Sequence, residues 1–304
     1  MNGPLPSFLV IGAMKAGTTS LHHYLDAHPD LYLPGTKELN FFRDERSFAR
    51  GEGWYRRQFA GAAPHQIAGE VSPDYSKHPH HRGAPERIAG LIPDARLVYL
   101  LRHPVDRMLS MYLHQLVAGR ETRPADVALV EDPHYLEVSC YGMQLERYLD
   151  HFHLEQMLVL TSEALAADRG TVMAQIHRFV GVDPLPGTAT AVDGTWYRGE
   201  TRRRRGLLAR AAAGSDVARR AFGRLPAPVQ HAVRRAGSRP VDPGSRLLSA
   251  PAERAVVDLL RPDLERLHRY APDGVRSWGL LEGAPAVEPP PTTDEHEHEH
   301  GGHA

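Results

Sequence analysis

The sequence predicts an α/β fold, a parallel β-sheet flanked by helices on both faces and followed by a helical C-terminal part. Three observations carry that expectation. Short apolar runs alternate with amphipathic helical stretches from about residue 7 to residue 180. The runs end at glycine or at an Arg-x-Pro step, as in "FLVIGAMKAGTT" and "RLVYLLRHP". The alternation then gives way to arginine-rich, helical and finally proline-rich stretches. Sheets covered on both faces read as continuous apolar strands, and they place ligands beyond the strands' carboxyl ends.

Ser7 to Ile11 reads as a buried strand, short, apolar and closed by Gly12. Thr18 to His28 reads as a helix, with Leu21 and Leu25 one turn apart and Pro29 just beyond its end. Gln66 to Val71 is a second, weaker strand, and Arg96 to Leu101 a third, strongly apolar one. Pro104 occupies the first turn of the next helix, "PVDRMLSMYLHQLV", where a missing N–H costs nothing. A helix from about Tyr141 to Phe152 precedes "QMLVLTSEAL", a strand leading straight into a helix that runs to about Val180. Between about 195 and 250 the chain is rich in arginine and poor in acids, which fits either a helical lid with a basic face or a solvated excursion. "PAERAVVDLLRPDLERLHRY" returns to helical periodicity, and Trp278 is expected to pack back on the domain. Residues 1–281 therefore read as one domain. Residues 282–304 read as a disordered Pro/Glu/His-rich tail, too polar to bury a core. Its histidines at 296, 298, 300 and 303 offer no preformed geometry, so they predict loose metal binding and no catalytic metal site.

The 304 residues, 41% of them hydrophobic, suffice for a substantial core. A formal net charge of -1 gives no reason to expect a nucleic-acid partner. The single cysteine, Cys140, excludes an intrachain disulfide and points to a reducing, cytoplasmic setting. No leader-like segment and no apolar run of spanning length is seen, so membrane insertion is not expected. Oligomeric state leaves no trace in the sequence. Arginine supplies nearly all the positive charge, and the three lysines are Lys15, Lys37 and Lys77.

"GAMKAGTT" keeps two glycines with four residues between them, as a Walker loop does. The fold class is accordingly a P-loop-type sheet. Glycines let the backbone curl round an anion, and a helix starting at Thr18 aims free N–H groups at it. Yet Gly17 is followed by Thr18 and Thr19 rather than by Lys-Ser/Thr, and Lys15 precedes the second glycine. A lysine there does not suit a triphosphate with its magnesium. A single 5′-phosphate carrying another group suits it better.

The loop resembles the 5′-phosphosulfate loop of sulfotransferases that use 3′-phosphoadenosine 5′-phosphosulfate (PAPS), in the branch of the heparan sulfate N- and 3-O-sulfotransferases and their bacterial relatives. "HPDLYLPGTKELNFFRDE" is similar to the family stretch in which a Lys-Glu pair precedes two aromatics. "GEVSPDYS" resembles its E-x-S/T-P-x-Y segment. "RLVYLLRHPVDRMLSMYLHQ" resembles its 3′-phosphate motif, with a serine eight residues after the arginine. "YGMQLERYLDHFHLEQMLVLTSEAL" and "LLRPDLERLHRYAPDGVRSWGL" also fit. The likeness runs over roughly residues 7–280 and is weakest between about 185 and 250.

The resemblance implies PAPS as donor, with no metal required. It implies that Lys15 contacts the oxygens between phosphate and sulfate, and that Ala16, Gly17, Thr18, Thr19 and Ser20 hold the 5′-phosphate. Arg102 and Ser110 match the 3′-phosphate ligands, and Tyr141 a tyrosine near the nucleotide. Glu38 matches the family's catalytic carboxylate, poised by burial among Phe41 and Phe42, with Lys37 orienting the sulfate. Glu70 and Tyr75 are secondary candidates, because Val71 stands where the glycan enzymes carry a lysine. His78, His80 and His81 are conceivable bases that read more simply as surface residues. The Arg202–Arg205 run fits closure over the 3′-phosphate, an anionic acceptor or solvent. The Golgi relatives' disulfide and membrane anchor have no counterpart here, as expected of a bacterial-type cytoplasmic enzyme. The implied activity is transfer of the sulfuryl group to a hydroxyl or amine of a carbohydrate, lipid or small natural product. The alternatives are a P-loop nucleotide kinase or NTPase, a non-catalytic nucleotide-binding protein, and a metal carrier using the histidine tail.

Overall fold

The computed structural model describes residues 3–185, 203–205, 238–240, 248–271, 273, 276 and 278–281. Five parallel strands form one sheet in the order β2-β3-β1-β4-β5. They are β1 (Phe8–Gly12), β2 (Leu31–Tyr32), β3 (Ile67–Val71), β4 (Arg96–Leu101) and β5 (Met157–Thr161). The central strands β1 and β4 are apolar because helices cover both their faces; Phe8 to Ile11 and Leu97 to Leu100 are fully buried. Between Val10 and Gly12 the register of β1 against β4 shifts, just before the glycine-lysine loop.

The helices are α1 (Thr18–Asp26), α2 (Glu45–Phe48), α3 (Glu52–Arg57), α4 (Ala84–Leu91), α5 (Pro104–Ala118), α6 (Ala125–Glu131), α7 (Pro133–Glu137), α8 (Tyr141–Leu149), α9 (Ser162–Ala167), α10 (Arg169–Val180) and α11 (Ala250–His268). Short 3₁₀ turns span Pro73–Ser76 and Leu154–Gln156. The predicted strands and their principal helices are present; α2, α3, α4, α6 and α7 are not among the predicted elements, and three further features differ. The two-residue β2 is too short to leave a periodic signal. The single helix expected after β5 is broken at Asp168, whose carboxylate accepts the Thr171 N–H at 3.0 Å and starts α10 afresh. In the arginine-rich stretch, the described pieces β6 (Arg203–Arg205) and β7 (Ser238–Pro240) are an antiparallel strand pair rather than helix, and β6 lies beside α5. The rest of that stretch and the tail, residues 282–304, lie outside the described residues.

An aromatic cluster packs the segment after β2 onto the sheet. Phe41 stacks on Tyr55 with ring centroids 4.3 Å apart, and Phe42 meets Tyr55 and Tyr75 edge-on. Trp278 is buried against Tyr141 and His103, as the sequence predicts. Among the described residues no helix is long and apolar enough to cross a membrane.

Candidate active site

The first loop is a cradle. It leaves β1 at Gly12, and the Ala13 N–H donates to the Leu100 carbonyl at 2.6 Å, tying the loop to β4. Gly17 caps α1 with φ 96°, a left-handed conformation that costs a glycine nothing. A Cβ on Gly17 would meet nothing within 4 Å, so the space beyond it is open. The first-turn N–H groups of a helix have no carbonyl of their own helix to bind, and Gly17 has no side chain with which to cap them. An anion fits that end of α1. Thr18 is buried, whereas Thr19, Ser20 and Lys15 are part-exposed around it.

The neighbouring strand brings the second basic group to the same place. Arg102 stands one residue past β4, and its Nη1 donates to the Lys15 carbonyl at 3.5 Å. Its Nη2 lies 3.6 Å from the exposed Asp106 carboxylate. Ser110 follows two turns into α5 and is half-buried. Tyr141 is fully buried, and its hydroxyl donates to the Arg102 carbonyl at 2.9 Å. Burial pushes that phenol's pKa well above its ordinary value. The loop after Arg102 is held as well. Glu163 accepts the His103 N–H at 2.9 Å with one oxygen and the Trp278 indole N–H at 3.4 Å with the other. No sequence signal marked Glu163, because its two partners come from remote segments.

Lys37 and Glu38 form an ion pair, their side chains 21% and 41% exposed. Their charges also act on His22 of α1, whose pKa is lowered mainly by burial. Glu38 has φ 62° and Asn40 φ 54°; with Lys15 at φ 75°, they are the non-glycine residues of positive φ among the described residues. Each left-handed residue costs roughly 1–2 kcal/mol, and such strain gathers at functional sites. The expected burial of Glu38 among Phe41 and Phe42 is not found. The chain turns through left-handed residues 38 and 40, so the two rings enter the core while Glu38 stays at the surface.

The buried carboxylate is instead Glu70, 1% exposed on β3. One oxygen accepts from the Ser72 hydroxyl at 2.5 Å and the Tyr75 hydroxyl at 2.7 Å, and the other from the Tyr55 hydroxyl at 2.5 Å. The same hydroxyl oxygens reach the Lys37–Glu38 segment. Ser72 Oγ accepts the Asn40 N–H and the Tyr75 oxygen accepts the Phe42 N–H, both at 3.2 Å. Arg87 of α4 donates to the Phe42 and Arg43 carbonyls at 2.9 and 3.1 Å. Glu70 and Tyr75 thus anchor the strained segment together with Ser72 of the same motif, and Tyr55 and Arg87 are members the sequence did not reveal. Lys77, the third lysine, is buried against Asp74 with Nζ 2.5 Å from Oδ1. Of the nearby histidines, His80 pairs with Glu137 at 2.9 Å and meets His134, while His81 lies 3.9 Å from Asp74.

Burial raises the pKa of Glu70, and its three hydroxyl donors only partly oppose the shift. A carboxyl with a raised folded-state pKa keeps its proton after the unfolded chain has released it. Its contribution to stability is full below the ordinary glutamate value of about 4.3 and declines as pH rises above it. Glu70→Gln is therefore expected to melt higher than wild type at pH 8 and level with it near pH 4 (the carboxylate range). Thermal melts at both pH values check this, and an equal deficit at both would contradict it.

A glycine cradle on a helix N-terminus, at the carboxyl edge of a parallel sheet and beside a strand-end arginine, defines a P-loop-like α/β protein. The comparisons narrow that class: the chain belongs to the sulfotransferase domain family, whose profile matches residues 5–206. It is 31% identical over 201 residues to the mouse bifunctional heparan sulfate N-deacetylase/N-sulfotransferase 4, a match covering 59% of this chain and 23% of that protein. It is 31% identical over 188 residues to the human heparan sulfate glucosamine 3-O-sulfotransferase 3B1, covering 59% of this chain and 46% of that protein. The chain thus spans less than half the length of either relative. The crystal structure of a sulfotransferase from Alicyclobacillus acidocaldarius superposes with a TM-score of 0.63 at 26% identity, covering 91% of this chain and 99% of that one. Sulfuryl transfer is the chemistry these matches support, and the kinase alternative is not favoured.

Proposed function

We propose that residues 1–281 form a catalytic domain that moves the sulfuryl group of PAPS to a hydroxyl or amine, releasing adenosine 3′,5′-bisphosphate. One observation carries the reading. The two segments that resemble the family's 5′-phosphosulfate and 3′-phosphate motifs meet at the hydrogen bond from Arg102 to the Lys15 carbonyl. The Ala16–Ser20 backbone and hydroxyls would hold the 5′-phosphate, and Arg102 with Ser110 the 3′-phosphate, where a guanidinium can grip a dianion with two N–H groups. As the bond between sulfur and the bridging oxygen breaks, negative charge gathers on that oxygen. In this reading the Lys15 ammonium meets that charge, which lowers the barrier rather than merely tightening binding. A new bond forms between sulfur and the acceptor atom, whose proton passes to Glu38. Lys37 orients the transferred group. Tyr141 serves the nucleotide through the Arg102 backbone.

The acceptor class is a carbohydrate, a lipid or a small natural product. The heparan sulfate relatives favour a glycan, and Val71 in place of the glycan enzymes' lysine speaks against a polysaccharide. Nucleic acid is not a proposed partner, given a net charge of -1. A cytoplasmic setting is proposed from the lone cysteine, whose half-buried thiol has its pKa pushed up to about 12 by desolvation. The experiment is transfer of labelled sulfate from PAPS across a panel of glycan, lipid and phenolic acceptors, with mass detection of product. Magnesium-dependent ATP turnover without sulfate transfer would overturn the proposal.

A further inference from the structure

We infer that Asp263, on the C-terminal helix α11, is a positioning residue that sets Arg102 for the donor's 3′-phosphate by way of α8. The inference rests on the reading of Arg102 proposed above. Arg102 lies just beyond the sheet, since the ladder between β4 and β5 ends at the Leu101–Thr161 pair. Its carbonyl is therefore placed by something other than a strand partner, and the Tyr141 hydroxyl binds it at 2.9 Å. Tyr141 is the first residue of α8, so the position of that helix end sets the position of the hydroxyl.

The helix end is fixed from a distance. Cys140, the residue before α8, makes no side-chain cap. Asp263 supplies one across 121 residues of sequence. Its Oδ2 accepts the Gly142 N–H at 2.9 Å and its Oδ1 the Met143 N–H at 2.8 Å. A carboxylate at a helix N-terminus satisfies orphan donors and complements the helix dipole. Asp263 is only 5% exposed, and a buried carboxylate is costly unless such bonds satisfy it. Gly142 allows the approach. A Cβ there would lie 2.7 Å from the Asp263 carbonyl oxygen and 2.8 Å from the Leu267 nitrogen, so no other residue lets α8 and α11 come this close. Trp278 packs against Tyr141, with ring centroids 6.0 Å apart. The links run unbroken from the α11 carboxylate to the α8 amides, to Tyr141, to the Arg102 backbone and on to the Lys15 carbonyl.

The test compares binding of adenosine 3′,5′-bisphosphate with that of adenosine 5′-monophosphate by calorimetry, on the full chain. The readout is the ratio of the two affinities, which a merely structural role would leave unmoved. Asp263→Asn removes the charge and one good acceptor, and Tyr141→Phe removes only the hydroxyl. Each is expected to lower the bisphosphate preference about 5–10-fold, the size of one lost hydrogen bond, with the monophosphate affinity unchanged. Arg102→Ala, as reference, should lose most of the preference. If Arg102→Ala leaves the ratio at the wild-type value, the 3′-phosphate reading fails and this inference falls with it. If Arg102→Ala lowers the ratio but Tyr141→Phe does not, the inference alone is overturned. Equal losses for both nucleotides in either variant overturn it too. Should Asp263→Asn fail to fold, Tyr141→Phe decides.

Discussion

Replacing Lys15 with alanine is expected to slow sulfuryl transfer by about 10²–10³-fold, or roughly 2–4 kcal/mol, the cost of removing one donor aimed at developing charge. Nucleotide affinity should fall much less. The distinction follows from where charge sits. In bound PAPS the bridging oxygen carries little charge, and in the transition state it carries much more. A cation there acts chiefly on the barrier. The backbone supports the assignment, because Lys15 is held at φ 75° in a loop whose other left-handed residue is a glycine. Single-turnover rates and equilibrium binding of adenosine 3′,5′-bisphosphate, taken on one preparation, separate the two effects. A variant with unimpaired turnover, or one whose rate and affinity fall together, would remove Lys15 from the role.

Glu38→Gln is expected to cost about 10²–10⁴-fold in turnover, the range for loss of a general base. The amide keeps the shape of the side chain but cannot take a proton. The loss should therefore appear in kcat rather than in donor binding, and the acidic limb of the pH–rate profile should disappear. The competing carboxylate is Glu70, sealed behind three hydroxyl groups. A near-normal rate for Glu38→Gln, with a dead Glu70→Gln, would transfer the proton-accepting role to β3.

Much of the scaffold was legible because it is written locally. Phe8 to Gly12 and Arg96 to Leu101 are apolar runs with clear punctuation, and they are the buried centre of the sheet. The cradle was legible for the same reason, since glycines, a lysine and hydroxyls sit within eight consecutive residues. The less visible features depend on contacts between remote segments. Nothing in "KELNFF" says that Glu38 stays at the surface, because that is decided by left-handed backbone at 38 and 40. Asp263 reads as one more acid on an amphipathic helix, and only the fold shows it facing the amides of Gly142 and Met143. Asp168 reads as mid-helix until its side chain is seen capping α10.

The order β2-β3-β1-β4-β5 divides labour about the central strand. On the proposed assignment, the nucleotide is gripped by the loops of β1 and β4, whereas Lys37 and Glu38 follow β2 and are braced from β3. Evolution can thus rewrite one flank to accommodate a new recipient molecule while leaving the grip on the donor intact. On the same assignment, engineered changes of substrate range belong on the β2 and β3 side, where turns can be exchanged without disturbing the arginine proposed for the nucleotide.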